Sequence, residues 1–106
     1  MDNEIFRLHA EVCKTLSHAK RLEILSILRE GEVIAGEIVD RMQIPKANVS
    51  QHLSVLRKAG ILLSRREGTN IFYRISSTKV TKACDLMREV LIENHSRKNK
   101  ILKNVR

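Results

Sequence analysis

Apolar residues recur along most of this chain at intervals of three and four, the period of helices that bury one face. Ile5, Leu8, Val12 and Leu16 predict an amphipathic first helix over roughly residues 3–16. In KRLEILSILRE the apolar positions Leu22, Ile24, Leu25, Ile27 and Leu28 point nearly all round. That pattern predicts a central buried second helix, capped by Ser17 and stopped by Gly31. Glu32 to Ile34 is short and β-branched, suited to a strand stub pairing with a hairpin further on. Gly36 to Met42 reads as a short third helix, and Pro45 punctuates the turn into a fourth. That pair and its turn have the length and spacing of a helix-turn-helix. Beyond Gly60, Leu62 to Glu67 and Asn70 to Ile75 flank Gly68-Thr69, and Gly at the first loop position suits a tight II′ hairpin turn. Ser76 or Ser77 then caps a last long helix striped by Val80, Ala83, Cys84, Met87, Val90 and Leu91. The fold expected is mainly α, with five helices and a two-stranded β-hairpin in a single domain over residues 1–93. A tail over residues 94–106 follows, with five basic residues (Arg97, Lys98, Lys100, Lys103, Arg106) and no acidic one. It reads as a solvated helix extension or as a phosphate-binding arm.

The polar side of the fourth helix carries the most information. At about 100° per residue, Val49, Leu53 and Leu56 share one face, while Ala47, Ser50, Gln51, Ser54 and Lys58 share the opposite one. Only Lys58 among these is charged. A solvated face would usually carry more Glu and Lys, whereas small and amide side chains suit close approach to base edges. Gln51 or Asn48 has the donor and acceptor needed to pair bidentately with adenine. His52 lies on the flank, placed to touch backbone phosphate or to pack. The hairpin behind the helix is basic through Arg65, Arg66 and Arg74, which would contact phosphate or a narrow minor groove. Lys20 and Arg21 are further phosphate candidates, with a structural ion pair the competing role for Arg21.

Charge agrees with that reading. Lys and Arg number 20 against 12 Asp and Glu, a net +8, which favours an anionic polymer such as nucleic acid. Phe and Tyr together number only three, too few for a stacking platform for single strands, so the expected partner is double-stranded DNA. No apolar run approaches membrane-spanning length, the first residues lack a signal-peptide core, and two cysteines cannot build a secreted disulfide framework. A cytoplasmic protein with no membrane partner is expected. There is no phosphate-cradling Gly-rich loop, no HExxH and no nucleophile elbow. No enzymatic activity and no cofactor are therefore expected.

The order of elements, the segment LSHAKRLEIL, the run NVSQHLSVLRKAGIL and the wing RREGTNIFYRI resemble the arsenic-repressor (ArsR/SmtB) family of winged-helix regulators. The resemblance spans roughly residues 5 to 92. It implies a homodimer joined through the first and last helices, seated on a twofold-symmetric operator, repressing transcription until an inducer binds. By that resemblance Lys46, Ala47, Asn48, Ser50, Gln51 and His52 match the positions that enter the groove, and Arg65, Arg66 and Asn70 match the wing. Pro45 stands where the family more often has a Ser cap.

The sensing function is where this sequence departs from the family. The soft-metal motif ELCVCDL aligns with EVIAGEI over Glu32 to Ile38, and both thiolate positions are replaced, by Ile34 and Gly36. The family's second metal site, on its last helix, aligns with Ser77, Lys79, Val90 and Glu93, which puts a cation where a metal should sit. No metal is expected at either position. Two thiols remain. Cys13 follows His9 by four residues on one face of the first helix, and Cys84 lies in the stripe of the last. Three roles stay open for them: small interface hydrophobes, a dithiol switch, or a metal or metalloid site using Cys13, Cys84 and His9. Without an inducer site, the chain would be an architectural DNA binder.

Overall fold

The computed structural model describes the backbone of residues 3–105 and the side chains of residues 3–99. In chain order the elements are α1 (Asn3–Leu16), α2 (Ala19–Ile27), β1 (Val33–Ile34), α3 (Ala35–Met42), α4 (Lys46–Lys58), β2 (Leu62–Glu67), β3 (Asn70–Ile75) and α5 (Thr78–Val105). All five expected helices are present, and both hairpin strands have the expected limits. The sheet has three antiparallel strands in the order β1-β3-β2, because the Val33–Ile34 stub pairs with Tyr73 and Phe72 of β3. The central strand of this sheet is therefore held on both sides.

The core is one apolar cluster. Ile24, Leu25 and Leu28 of α2 meet Ile38 and Met42 of α3, Val49, Leu53 and Leu56 of α4, and Ile61 and Leu62 at the base of the wing. Ile24, Ile38, Val49, Leu56 and Leu62 have no measurable exposure, and no polar side chain is buried among the described residues. Burying these faces supplies most of the driving force for folding. It also seats α4 on α2 and α3 by its Val49–Leu53–Leu56 stripe, which obliges the opposite stripe to face solvent.

Two helix ends are built by local chemistry the sequence displays, and two are not. α4 ends with Gly60 at φ +78, where Gly60 N–H donates to the Arg57 carbonyl and Ile61 N–H to the Leu56 carbonyl, both at 3.0 Å. This is the Schellman arrangement, which a residue without Cβ adopts at least cost. Ser77 Oγ accepts from Lys79 N–H at 3.2 Å, so Ser77 caps α5 rather than Ser76. The cap of α2 differs from expectation. His18, not Ser17, occupies it, with extended backbone and its Nδ1 accepting from Lys20 N–H at 3.3 Å. Ser17 is used up one step earlier, where its N–H donates to the Lys14 carbonyl and finishes α1. Gln43, between α3 and α4, takes the left-handed conformation at φ 54 and turns the chain toward the fourth helix.

The outer helices are less covered. α1 exposes Ile5, Phe6 and Leu8, and α5 exposes Leu86, Met87, Val90, Leu91 and Ile92, with Ile92 66% exposed. α5 also runs on through the segment read as a tail. Of that segment's basic residues, Arg97 and Lys98 are exposed, while the side chains of Lys100 and Lys103, and Arg106 altogether, lie outside the described residues.

Candidate nucleic-acid interface

The polar stripe of α4 lies on the surface as its periodicity requires. Lys46, Ala47, Asn48, Ser50, Gln51 and Lys58 are exposed, and Ser54 is half-buried. The helix opens on Pro45, whose carbonyl accepts from Asn48 N–H at 2.9 Å and Val49 N–H at 3.2 Å. Proline has no side-chain acceptor, so no side chain caps the first turn, and no acidic residue lies in it. The backbone N–H groups and positive end of α4 are left uncompensated at Lys46, a disposition that suits an anion such as phosphate. At the other end, Arg57 and Lys58 add two cations on the last turn.

A cleft of about 530 Å³ separates this helix from the wing. Its lining combines the apolar Ile34, Val39, Leu53, Ile71 and Tyr73 with the polar Asp40, Lys46, Ser50, Thr69 and Asn70. Lys46 and Ser50 of the helix and Asn70 of the wing therefore border one continuous depression. The turn at the wing tip has Gly68 at φ +64, while Thr69 keeps a negative φ, in keeping with the II′ form.

The wing arginines part company. Register pairs Arg65 with Phe72 and Arg66 with Ile71. Side chains alternate across a strand, so Arg66 shares the face of Ile71 and Tyr73, beside the cleft, and Arg65 takes the other face. Arg65 is engaged there: Nε and Nη2 donate to Glu32 at 2.8 and 2.7 Å, and Nη1 donates to Glu67 at 2.7 Å. Its guanidinium also lies 4.3 Å from the Phe72 ring centre. Glu32 and Glu67 raise its affinity for its proton still further, and in return the Arg65 hydrogen bonds hold the Glu32 carboxyl below the usual carboxylate range. The Arg66 side chain is exposed and makes no ion pair or hydrogen bond among the described residues. Of the two arginines that the resemblance matches to the wing, Arg66 has an unengaged side chain and Arg65 is committed to the sheet.

His52 and Arg21 also take definite roles. Arg21 Nε donates to His52 Nδ1 at 3.2 Å, and Arg21 Nη1 donates to the Thr15 carbonyl at 3.0 Å. The His18 ring meets the His52 ring edge to face, with centroids 4.6 Å apart. Burial, helped by His18 and Arg21, lowers the His52 pKa. His52 is thus half-buried on the flank of α4, and Arg21 makes no ion pair among the described residues, its guanidinium being held by His52 and the Thr15 carbonyl. Lys20 pairs with Glu23 at 3.1 Å on the surface. Local pattern hides the Arg21 and Glu32 roles, since their partners lie 31 and 33 residues away in sequence.

The candidate sensing residues lie on the two outer helices. Cys13 and His9 are exposed on α1, Cys84 packs half-buried against the core, and both thiols are free. Among the described residues no three His, Cys, Asp or Glu side chains are grouped to hold a metal ion. No helix among them is long and apolar enough to cross a membrane.

Comparison with known proteins places this geometry. Residues 18–64, from the cap of α2 into β2, match the family described as bacterial regulatory protein, arsR family. An uncharacterized HTH-type transcriptional regulator of Mycobacterium tuberculosis is 33% identical over 108 residues, covering 100% of this chain and 95% of that protein. A biofilm growth-associated repressor of Agrobacterium fabrum is 38% identical over 78 residues, covering 74% of this chain and 67% of that one. Among solved structures, a homodimeric winged helix-turn-helix DNA-binding domain of Mycobacterium bovis, a possible ArsR-family regulator, superposes with a TM-score of 0.81. It is 28% identical, and the match covers 92% of this chain and 93% of that one.

Proposed function

The chain belongs to the bacterial arsR family of regulatory proteins and is a winged helix-turn-helix transcriptional regulator rather than an enzyme; on that premise we propose that it is a homodimeric, operator-binding repressor released by an inducer. The observation that carries this reading is the exposed stripe of α4, small and amide-bearing from Ala47 to Gln51, opening at an uncapped positive helix end. Ser50 and Gln51 would read base edges in the major groove, with Asn48 beside them, while Lys46 and Arg66 contact phosphates on either side of the cleft. Asn70 at the wing tip would reach the adjacent minor groove. The exposed apolar residues of α1 and α5 would close the dimer and set the two α4 helices about one DNA turn, ~34 Å, apart. Such a protein works beside the chromosome, in the cytoplasm.

The inducer reading rests on Cys13 and Cys84. Each lies on a helix expected at the dimer contact, so pairing of two chains would bring more thiols within reach than one chain holds. A dithiol switch, closed by an oxidant or a sulfur donor, is the proposal. A metal or metalloid held by Cys13, Cys84 and His9 is the alternative. The test begins with a duplex selected from a random pool by the purified protein. Binding to it is then titrated against polysulfide, against Zn(II) and against As(III), in the parent, Cys13→Ser and Cys84→Ser forms. Release by polysulfide, lost in either variant, supports the switch; release by metal, lost in the variants, replaces it with the metal site. Binding that ignores all three agents removes the thiols from sensing. Equal affinity for every duplex would make the chain an architectural DNA binder, and activation of a reporter by the bound protein would overturn repression.

A further inference from the structure

Arg21 stands at a junction of three helices. It belongs to the first turn of α2, its Nε donates to His52 on α4, and its Nη1 donates to the carbonyl of Thr15 in the last turn of α1. Carbonyls in the last turn of a helix have no partner within the helix, and a cation there also meets the negative end of the helix dipole. Arg21 thus satisfies a group that α1 leaves open. Its guanidinium is planar and rigid, so two bonds from one fork fix the distance and angle between their acceptors. One acceptor closes α1, and the other is carried by the recognition helix.

His52 is shaped to this use. Its Nδ1 accepts from Arg21, which assigns the remaining ring proton to Nε2 in the neutral form. Its ring is set edge to face against His18, the residue that caps α2. The charged and titratable groups bearing on it are His18 and Arg21, both from the start of α2, and neither is a carboxylate. On α4 it is one residue past Gln51 and two past Ser50, the side chains placed to meet base edges.

We propose that Arg21 is a positioning residue for DNA reading: its fork ties His52 on the recognition helix to the Thr15 carbonyl that ends α1, so the setting of α4 follows the end of α1. Thr15 lies two residues past Cys13, on the helix whose Ile5, Phe6 and Leu8 are exposed in one chain. Events at α1, whether dimer closure or modification of Cys13, thereby have a short, directional route to Ser50 and Gln51. This inference rests on the DNA-binding reading for its consequence, while the link itself is testable without DNA.

The experiment compares the parent with Arg21→Lys, His52→Leu, the double variant and His52→Asn. Lysine keeps the charge and loses the fork, and asparagine offers an oxygen near the place of Nδ1 where leucine offers nothing. Amide hydrogen exchange across α4 is measured without DNA, with exchange in the sheet strands β2 and β3 as the control for overall folding. Imidazole nitrogen shifts report the His52 tautomer. The expected result is α4 exchange at least tenfold faster in Arg21→Lys and His52→Leu, no faster in the double variant, and near parental in His52→Asn. Loss of the single Nε2–H tautomer in Arg21→Lys should accompany it. Unchanged α4 exchange in Arg21→Lys, additive effects in the double variant, or equal acceleration in β2 and β3 would each overturn the proposal. Affinity for the duplex selected by the parent should follow the same rank order, falling at least tenfold in Arg21→Lys. If that variant binds like the parent, Arg21 does not position the reading helix. If the parent selects no duplex, the DNA-binding reading fails, and the exchange data still decide whether Arg21 sets α4.

Discussion

Arg65 reaches across the central strand of the sheet to Glu32, donating from Nε and Nη2 to both oxygens of one carboxylate at 2.8 and 2.7 Å. Phe72 of β3 lies beneath the span, 4.3 Å from the guanidinium. The bridge fastens β2 to the segment that leads into β1, so the wing is tied to the body by charge as well as by its ladder. An arginine spent this way is poorly placed to neutralise phosphate, although composition alone would count it with Arg66.

The two arginines should therefore behave differently in salt. Arg66→Ala is expected to weaken binding to all duplexes and to flatten the dependence of log K on log salt by about one unit, as for one lost phosphate contact. Arg65→Ala should leave that slope near the parental value and instead speed amide exchange in β2. Anisotropy titrations at four salt concentrations separate them, and a unit change of slope in Arg65→Ala would put that side chain on the DNA backbone.

Substituting Ser50 or Gln51 by Ala should reduce discrimination between the selected duplex and random DNA by about 1–3 kcal/mol, the usual worth of a base contact. Competition titrations give this difference directly. Equal losses on both DNAs would move these residues from reading to simple attachment.

Acid should destabilise the fold in two stages. Burial beside His18 and Arg21 lowers the His52 pKa from its ordinary 6.5, so between the two values the unfolded chain binds more protons and stability falls as pH falls. Thermal midpoints should drop between pH 7.5 and 5.5, and the drop should shrink in His52→Asn. A second loss is expected below about pH 4.5, because hydrogen bonds from Arg65 and Arg29 hold the Glu32 and Asp85 carboxyls below their ordinary values of 4.5 and 3.8. Folding then favours their charged forms, and the benefit is present at neutral pH and disappears as they protonate. Differential scanning of Glu32→Gln and Asp85→Asn should show a shallower acid limb than the parent.

The uncovered apolar residues of α1 and α5 predict a concentration-dependent midpoint. If two chains bury Ile5, Phe6, Leu86, Met87 and Leu91 together, raising protein concentration should raise the melting temperature, since association stabilises only the folded form. Leu91→Glu should abolish that dependence and yield a monomer in sedimentation. A midpoint indifferent to concentration would place the dimer contact elsewhere.

Much of this architecture was legible in the chain because it is set by short-range rules. Gly60 and Gly68 fall where a positive φ is required, one before the hairpin and one in its turn, and the strand limits match those read from the sequence. The stripe of Val49, Leu53 and Leu56 fixed which side of α4 would be free. Other features were not legible. A histidine at a helix cap and a glutamine at φ 54 are choices that residue preferences rank low, and surrounding packing imposes them. The engagement of Arg65 by Glu32 and of Arg21 by His52 depends on how distant segments meet, which no local periodicity encodes.

The strand order β1-β3-β2 leaves β2 with one backbone edge unpaired. An open edge is a template onto which another chain can add a strand, the usual start of aggregation. Here the edge carries Ser64, Arg65, Arg66 and Glu67, all exposed, so an incoming strand would have to strip water from three charges within four residues. The other edge, β1, is two residues long. Self-association through the sheet is discouraged on both sides, which keeps strand addition from competing with the proposed helix-packed dimer.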